Sequence, residues 1–328
     1  MSGQDRRDFI KAAGALAVGG TAMTAGCTDF LDDEYPSSDI RHIIPWDAGG
    51  GTDAVGRGFV DFAEEYLDTE IFTENIAGAV SGQGISTVMD AEPDGYTIGT
   101  MTWDSYVTVE FFELIDDYSI DRLRILNTYT EQPCVFCVHE DSDIESMDDW
   151  IAYAEENPGE LDVSTAGESG ITHMPSVNLE IEAGIEHNYV HFEGGGGQSE
   201  ALGTGEVEAG SPTLGLLDPV MDSVRILAVC LPDRFEMLED TPTIVEETGM
   251  ELFWNSTRHI CVPEDVDEDI IDTLKEAFEN VAEDDDWQEW IFDTEGSWTW
   301  YDEDETMDLI ENTQQTTFEL YDELGIEP

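Results

Sequence analysis

The chain has 328 residues with 77 Asp or Glu against 11 Lys or Arg, a formal net charge of -66, which excludes nucleic acid as a partner because phosphate backbones are held by cationic side chains. Self-repulsion on this scale disfavours a compact state in dilute salt, yet 40% of residues are hydrophobic and 10% aromatic, including eight Trp, so the composition also excludes an acidic disordered chain. Acid enrichment, only two lysines (Lys11 and Lys275) and a normal core are reconciled in an extreme halophile, whose proteins work in molar salt where the Debye length is roughly 3 Å.

Residues 1–26 read as a twin-arginine export signal: Arg6, Arg7, Phe9 and Lys11, then fifteen small or mildly apolar residues from Ala12 to Gly26. The stretch is shorter than the roughly 20 residues of a spanning helix and rich in Gly and Ala, so it is not read as a permanent anchor. Thr24-Ala25-Gly26-Cys27 resembles a lipobox, which implies cleavage before Cys27 and a lipid on its sulfur. A plain cleaved signal with an incidental Cys is the alternative. Cleavage removes three bases and two acids, leaving 8 and 75. Acidic, turn-prone residues 27–38 then form a short tether.

Beyond the tether, short apolar runs alternate with helical segments. Ile40–Pro45, Thr97–Thr100, Cys134–Val138, Leu161–Ser164, Val224–Leu231 and His259–Val262 are expected strands, bounded by Gly, Pro or acidic turns. The clearest helix carries Ile270, Ile271, Leu274, Ala277, Phe278, Val281 and Ala282 on one stripe, with acids on the other face, and a second runs from about Glu305 to Leu324. This alternation predicts an α/β architecture with mainly parallel sheets, and the length suggests two domains. No internal repeat is visible, and the acidic run Glu283–Asp286 reads as a solvated surface.

The most informative segment is Ile43-Ile44-Pro45-Trp46-Asp47-Ala48-Gly49-Gly50-Gly51-Thr52-Asp53, followed by Val55, Phe59, Phe62 and Ala63 at helical spacing. It predicts a strand, a glycine-rich turn and a helix start. Glycines let the backbone approach a ligand, and the first turn of a helix leaves N–H groups unpaired at the positive end of its dipole, so backbone alone makes an anion site. Thr52 or Asp53 can cap the helix. No Gly-Lys-Ser/Thr follows and the spacing is not GxGxxG, so neither a Walker loop nor a dinucleotide fingerprint is present. Taken alone, a tight turn without a ligand fits as well. Two more turns share this chemistry: Ser164–Gly170, leading to Thr172 and His173, and His191-Phe192-Glu193 running into Gly194–Gly197, Gln198 and Ser199. Three such turns in two halves of the chain fit a ligand held between two domains. In so acidic a chain, N–H donors and screening are expected to do what Lys and Arg do elsewhere.

The remaining candidates have plainer readings. Cys134 and Cys137 lie on one expected strand, with Cα atoms about 10 Å apart, too far for a disulfide, and no second CxxC or CxxH accompanies them, so they read as buried thiols. Six scattered histidines without HExxH or paired spacing make no metal site, and no cofactor is implied. His173 and His191 read mainly as capping or packing residues. Arg57 either aims at an anion or pairs with an acid such as Asp61. Trp46 and Trp103 wall a pocket or sit in the core, and Trp287, Trp290, Trp298 and Trp300 read as packing of the last helices.

The segments PWDAGGGTD, ENIAGAVSGQG, EPDGYTIGT, VSTAGESGITH, YVHFEGGGGQSEALGTGEVEAG, VRILAVCLPDRFEMLEDTPTIVEETG and HICVPEDVDEDIIDTL, in order over residues 39–328, resemble the substrate-binding receptors of tripartite tricarboxylate transporters. The resemblance implies an α/β, two-domain periplasmic-binding-protein-like (type II) Venus flytrap with two interdomain crossings. The crossings are expected near Val138–Asp141 and Arg258–Pro263, giving a first domain of 39–139 plus 260–328 and a second of 140–259. It implies a carboxylate held by the N–H groups of Ala48, Gly49, Gly50, Gly51 and Thr52, with Asp53 setting the turn or gripping a bridging water, and Ser81, Gly82 and Thr102 lining the same lobe. Thr165, Gly167, Ser169, Gly194, Gly195, Gly196 and Gly197 would close from the other lobe. Gly210-Ser211-Pro212-Thr213 departs from the family's usual Phe-Asp-Asn-like segment, and Glu168 and Glu193 raise a ligand that brings an amino group.

The function implied is a non-catalytic monomeric receptor, lipid-anchored at Cys27 on the outer face of the membrane. It would capture a small di- or tricarboxylate and present it to integral-membrane transporter subunits. A sensory receptor serving a signalling partner fits the same fold. A secreted serine hydrolase has little support: Gly167-Glu168-Ser169-Gly170 is one residue short of GxSxG. An adhesive protein would carry repeats or Thr-rich stalks.

Overall fold

A computed structural model of the chain describes residues 35–192, 194–295, 298–323 and 325–326. The expected export signal, Cys27 and Glu193 lie outside the described residues. From Tyr35 onward the chain forms one compact unit.

The first part alternates strand and helix. Ile40–Ile44 (β1) is buried except at Arg41, with three Ile and a buried His42, as suits a central strand covered on both faces. After a turn, Gly51–Leu67 (α1) buries Val55, Phe59, Val60, Ala63 and Leu67 on one stripe. Ile71–Asn75 (β2), Gly82–Met89 (α2), Thr97–Thr102 (β3), the single turns Trp103–Tyr106 (α3) and Thr108–Phe111 (α4), and the long strand Leu123–Pro133 (β4) follow. Next come Val135–His139 (β5), Met147–Glu156 (α5), Asp162–Thr165 (β6), Met174–Ala183 (α6), Asn188–His191 (β7), Gly195–Thr204 (α7), Ala209–Gly210 (β8), Val224–Val229 (β9) and Ile244–Thr248 (α8). Asn255–Pro263 (β10), Glu268–Glu283 (α9), Asp285–Glu295 (α10) and Glu303–Glu323 (α11) close the order. Among the described residues no helix is long and apolar enough to cross a membrane.

Two five-stranded sheets result, ordered β2-β1-β3-β10-β4 and β7-β6-β8-β5-β9. The plan is the same in both. Three strands run parallel, and one strand lies antiparallel between the third and the last: β10 in the first sheet, returning after the second is complete, and β5 in the second, the first strand of its segment. The expected mainly parallel sheets are thus mixed, with one reversed strand in each. The sequence shows no repeat because this plan constrains only apolar spacing and turns.

The chain passes between the sheets twice. The chain leaves the first sheet at Pro133 and enters the second at Val135, so Val135–His139, expected in the first domain, belongs to the second sheet. It rejoins the first sheet at Asn255, ahead of the expected Arg258. The passages are tied together by backbone: Cys134 N–H donates to Trp254 O (2.8 Å), Cys230 N–H to Cys134 O (2.9 Å) and Trp254 N–H to Cys230 O (3.0 Å). Cys134 and Cys137 are free, buried thiols, and burial pushes both well above the usual thiol range.

In the first lobe, Phe59 of α1 stacks on Tyr129 (4.4 Å between ring centres) and meets Phe278 of α9 (5.5 Å) and Trp287 of α10 (5.3 Å). The Trp290 ring fills the space that a Cβ on Gly58 would need, so α1 and α10 approach this closely only over a glycine. Trp287 and Trp290 pack as expected, whereas Trp298 is 45% exposed. Removing the ring at the centre of this cluster, Phe59→Ala, should cost about 3–5 kcal/mol, read from denaturant midpoints at constant high salt.

Candidate functional site

In open α/β sheets, ligands sit beyond the carboxyl ends of the strands where the strand order reverses. In these sheets the reversals lie at β1/β3 and β6/β8. The loops leaving β1 and β3 carry Trp46–Thr52 and Thr102, and the loop leaving β6 carries Gly167 and Ser169.

The turn after β1 is built around Asp53. Its Oδ2 accepts the Gly49 N–H (2.8 Å), and its Oδ1 accepts Arg57 Nε and Asn75 Nδ2 (2.8 Å each). Asn75 also donates to Trp46 O (2.9 Å), closing the ring from the neighbouring strand β2. Burial alone would raise the Asp53 carboxyl, but the bonds from Gly49, Asn75 and Arg57 hold it below its usual range. Gly49 has φ +87°, the left-handed conformation glycine adopts without strain. Asp53 thus shapes the turn from behind, and the Gly49 N–H, expected on the ligand, is spent on Asp53. Ala48, Gly50 and Gly51 are exposed, and Gly50 caps α1 without a side-chain bond. Arg57 pairs with Asp53, not Asp61.

Beside the turn lies a chain of hydroxyls. Trp46 Nε1 donates to Thr102 Oγ1 (3.3 Å), the Thr102 N–H donates to Ser105 Oγ (3.1 Å), and Ser105 Oγ lies 2.8 Å from Ser81 Oγ. Ser81 and Gly82 are buried, and a Cβ on Gly82 would press on Val109 and Ile115, so Gly82 serves packing. Trp103 is core, edge-on to Trp254 at 6.0 Å. Ser105 was not singled out in the sequence; its signal is the Thr102-x-x-Ser105 capping spacing.

From the second lobe, Thr165 Oγ1 bonds internally to His191 Nδ1 (2.7 Å) and Gly167 O (3.1 Å). Ser169, at φ +60°, donates its N–H to His173 Nδ1 (2.9 Å). His173 therefore caps this turn, and burial followed by the neighbouring His191 lowers it to about 4, keeping it neutral. Gly194 has φ +88° ahead of α7, Gly195 packs against Leu216, and Gly196 stands open. Ser211 is tied to Ser176 Oγ (2.8 Å) and Thr172 O (2.9 Å), so the altered 210–213 segment buttresses the turn. The lobes meet at Ser169, whose carbonyl accepts Tyr321 OH (3.2 Å) and Thr108 Oγ1 (3.5 Å). Asp104, on α3, bonds Thr108 Oγ1 (3.3 Å) and the Ile171 N–H.

Sequence reasoning missed Arg258. It is the one buried Lys or Arg among the described residues, and its Nε donates to Thr52 Oγ1 at 3.3 Å. Its side chain reaches the first turn of α1, where the sequence offered backbone N–H donors and Arg57. Nothing in a lone Arg on a strand marks it; only the pairing of β10 with β3, Arg258 opposite Thr102, brings it there.

A family model described as "Tripartite tricarboxylate transporter family receptor" matches residues 55–326. The chain belongs to this family. The family is one of solute-binding receptors and not of enzymes. A relative of this receptor, described as "UPF0065 protein in gbd 5'region" of Cupriavidus necator, is 26% identical over 280 residues, 85% of each chain. Among solved structures, "R. palustris Rpa4515 with adipate" superposes with TM-score 0.82 at 19% identity, covering 90% of the receptor and 100% of that chain. "MatC (Rpa3494) from Rhodopseudomonas palustris with bound malate" gives 0.75 at 19%, covering 86% and 98%. These likenesses establish the periplasmic-binding-protein-like, two-lobed fold.

Burial pushes the Asp104 carboxyl up to about 6, against the bonds from Thr108 and Ile171. A carboxyl whose folded pKa exceeds its unfolded value binds its proton more tightly when folded, so its contribution to stability grows as pH falls through 6 towards 4. Asp104→Asn should abolish that slope, a difference of up to about 3 kcal/mol between pH 7 and pH 4, read as the pH dependence of unfolding free energy for the two proteins.

Proposed function

We propose that the receptor captures a small di- or tricarboxylate between its two lobes, outside the cytoplasm, and delivers it to the membrane subunits of a tripartite tricarboxylate transporter. The observation that carries the reading is the Asp53-braced turn. Its own acid is engaged from behind by Gly49, Asn75 and Arg57, so the backbone of exposed Gly50 and Gly51 and half-buried Thr52 at the positive end of α1 offers donors to a carboxylate. The adipate of one structural neighbour and the malate of another name the ligand class to try first. The second lobe supplies the Ser169 turn and the Gly194–Gly196 approach to α7, and bending at the Cys134 and Trp254 passages would bring these onto the ligand. Thr165, with its hydroxyl bonded inside the lobe, contributes shape.

The lobes follow the sheets: residues 39–133 with 255–328, and 135–254. The same reading has the chain exported through its Arg6-Arg7 signal, lipidated at Cys27, monomeric and adapted to molar salt.

Adipate or malate at a hundred times its dissociation constant should stabilise the protein by about 2.7 kcal/mol, seen as a rise in melting temperature in about 3 M KCl. A panel of mono-, di- and tricarboxylates that leaves the melting temperature of the folded protein unmoved would defeat the reading. Separately, Cys27→Ser should shift the mature protein from the membrane fraction to the medium; unchanged sedimentation would remove the lipid anchor from the account.

A further inference from the structure

We propose that the first lobe clasps and shapes the Ser169 turn of the second: the carboxylate of Asp104 holds the Ile171 N–H across the lobe boundary while Tyr321 and Thr108 hold the Ser169 carbonyl, so that the turn takes its ligand-facing form only when the lobes are together. Asp104, Thr108 and Tyr321 are then positioning residues, and the inference rests on the receptor reading above.

The contacts converge from separate elements of one lobe on residues 169–171 of the other. Tyr321 on α11 donates to Ser169 O (3.2 Å), and Asp104 on α3 accepts the Ile171 N–H. Thr108 on α4 stands between them, its Oγ1 3.5 Å from Ser169 O and 3.3 Å from Asp104 Oδ1. A hydroxyl has one proton to give, so it serves one partner at a time. Gly170 lies against the carboxyl, where a Cβ would sit 3.3 Å from Asp104 Oδ1. The Ile171 carbonyl faces the Cys134 thiol of the first passage at 3.6 Å, so the same turn touches the joint about which the lobes would bend.

The turn needs support from outside. Ser169 stands at φ +60°, a left-handed conformation that costs a non-glycine residue and persists where its surroundings fix it. Its own lobe ties the Ser169 N–H to His173 Nδ1 (2.9 Å), whereas the ties on the Ser169 carbonyl and the Ile171 N–H come from the first lobe. At neutral pH the Asp104 carboxyl is ionised, among the neutral side chains of Tyr106, Cys134 and Tyr321. A bond to an ionised acceptor is roughly twice as strong as a neutral one, which makes Asp104 the firmest of these grips. Separating the lobes breaks them together and frees the turn to leave its left-handed form. Lobe approach and turn shape are thereby one event, and the clasp raises the share of molecules competent to bind.

The test compares the full chain with Asp104→Asn and Tyr321→Phe in about 3 M KCl at neutral pH, reading the radius of gyration by small-angle scattering with and without adipate, and the adipate affinity by calorimetry. Each variant keeps the shape of its side chain and removes the charge or the hydroxyl. Ligand-free variants should scatter as more open molecules than wild type, adipate should close that difference, and affinity should fall about 3- to 10-fold, the range for one hydrogen bond. Side chains that merely stabilise the fold would lower the melting temperature without moving the ligand-free radius of gyration. Ligand-free radii equal to wild type, or adipate affinity within about twofold of wild type in both variants, would overturn the proposal. If one variant does not fold, the other decides by the same readings. If wild type binds neither adipate nor malate, the receptor reading fails while the ligand-free radii still decide the clasp; if wild type binds and the variants match it, only the clasp fails.

Discussion

The chain carries 77 carboxyl side chains and 11 cationic ones, so attraction of an anion at long range is unavailable and every favourable interaction of a base is local. The few bases are fastened accordingly. Arg41, Arg57, Arg122, Arg124, Arg234 and Lys275 sit in ion pairs with acids, and Arg225 spans the carbonyls of Glu140, Ser142 and Ile144. Arg258 is the one carried inward to the glycine turn.

The same economy appears in the turn itself. Asp53 introduces a negative charge within a few ångströms of the place an anion would occupy, and that charge is tolerable because three donors converge on it from the side of β2 and α1. Its role is geometric. Holding Gly49 fixes the path of the backbone through the turn.

Much of this was legible in the residues. The β1 turn, the Ser169 turn and the α9 stripe each follow from local patterning, and the buried set of α9 matches the expected one from Ile271 to Ala282. The long strand β4 was not foreseen. It buries Asn127, Thr128, Thr130 and Gln132, and Thr128 bonds His259 and Thr306 from elements far away in sequence. Alternation of apolar and polar residues fails as a signal when polar side chains face one another inside. Strand β7, half-exposed at an edge, lacks an apolar face to read. Arg258 escaped for a different reason: its meaning lies in strand pairing, which no local window contains.

The late return of β10 to the first sheet bears on how the molecule can assemble. The second sheet draws all its strands from one continuous segment, Val135 to Val229, whereas the first waits for β10 to wedge between β3 and β4. Closing the roughly 120 residues between Pro133 and Asn255 as a flexible loop would cost about 4 kcal/mol in chain entropy. Folding the inserted lobe first replaces that long loop with two short joints whose ends already lie together at Cys134, Cys230 and Trp254. Nucleation in the insertion would thereby precede completion of the enclosing lobe, and the contact between Arg258 of β10 and Thr52 of the glycine turn would be among the last features to form.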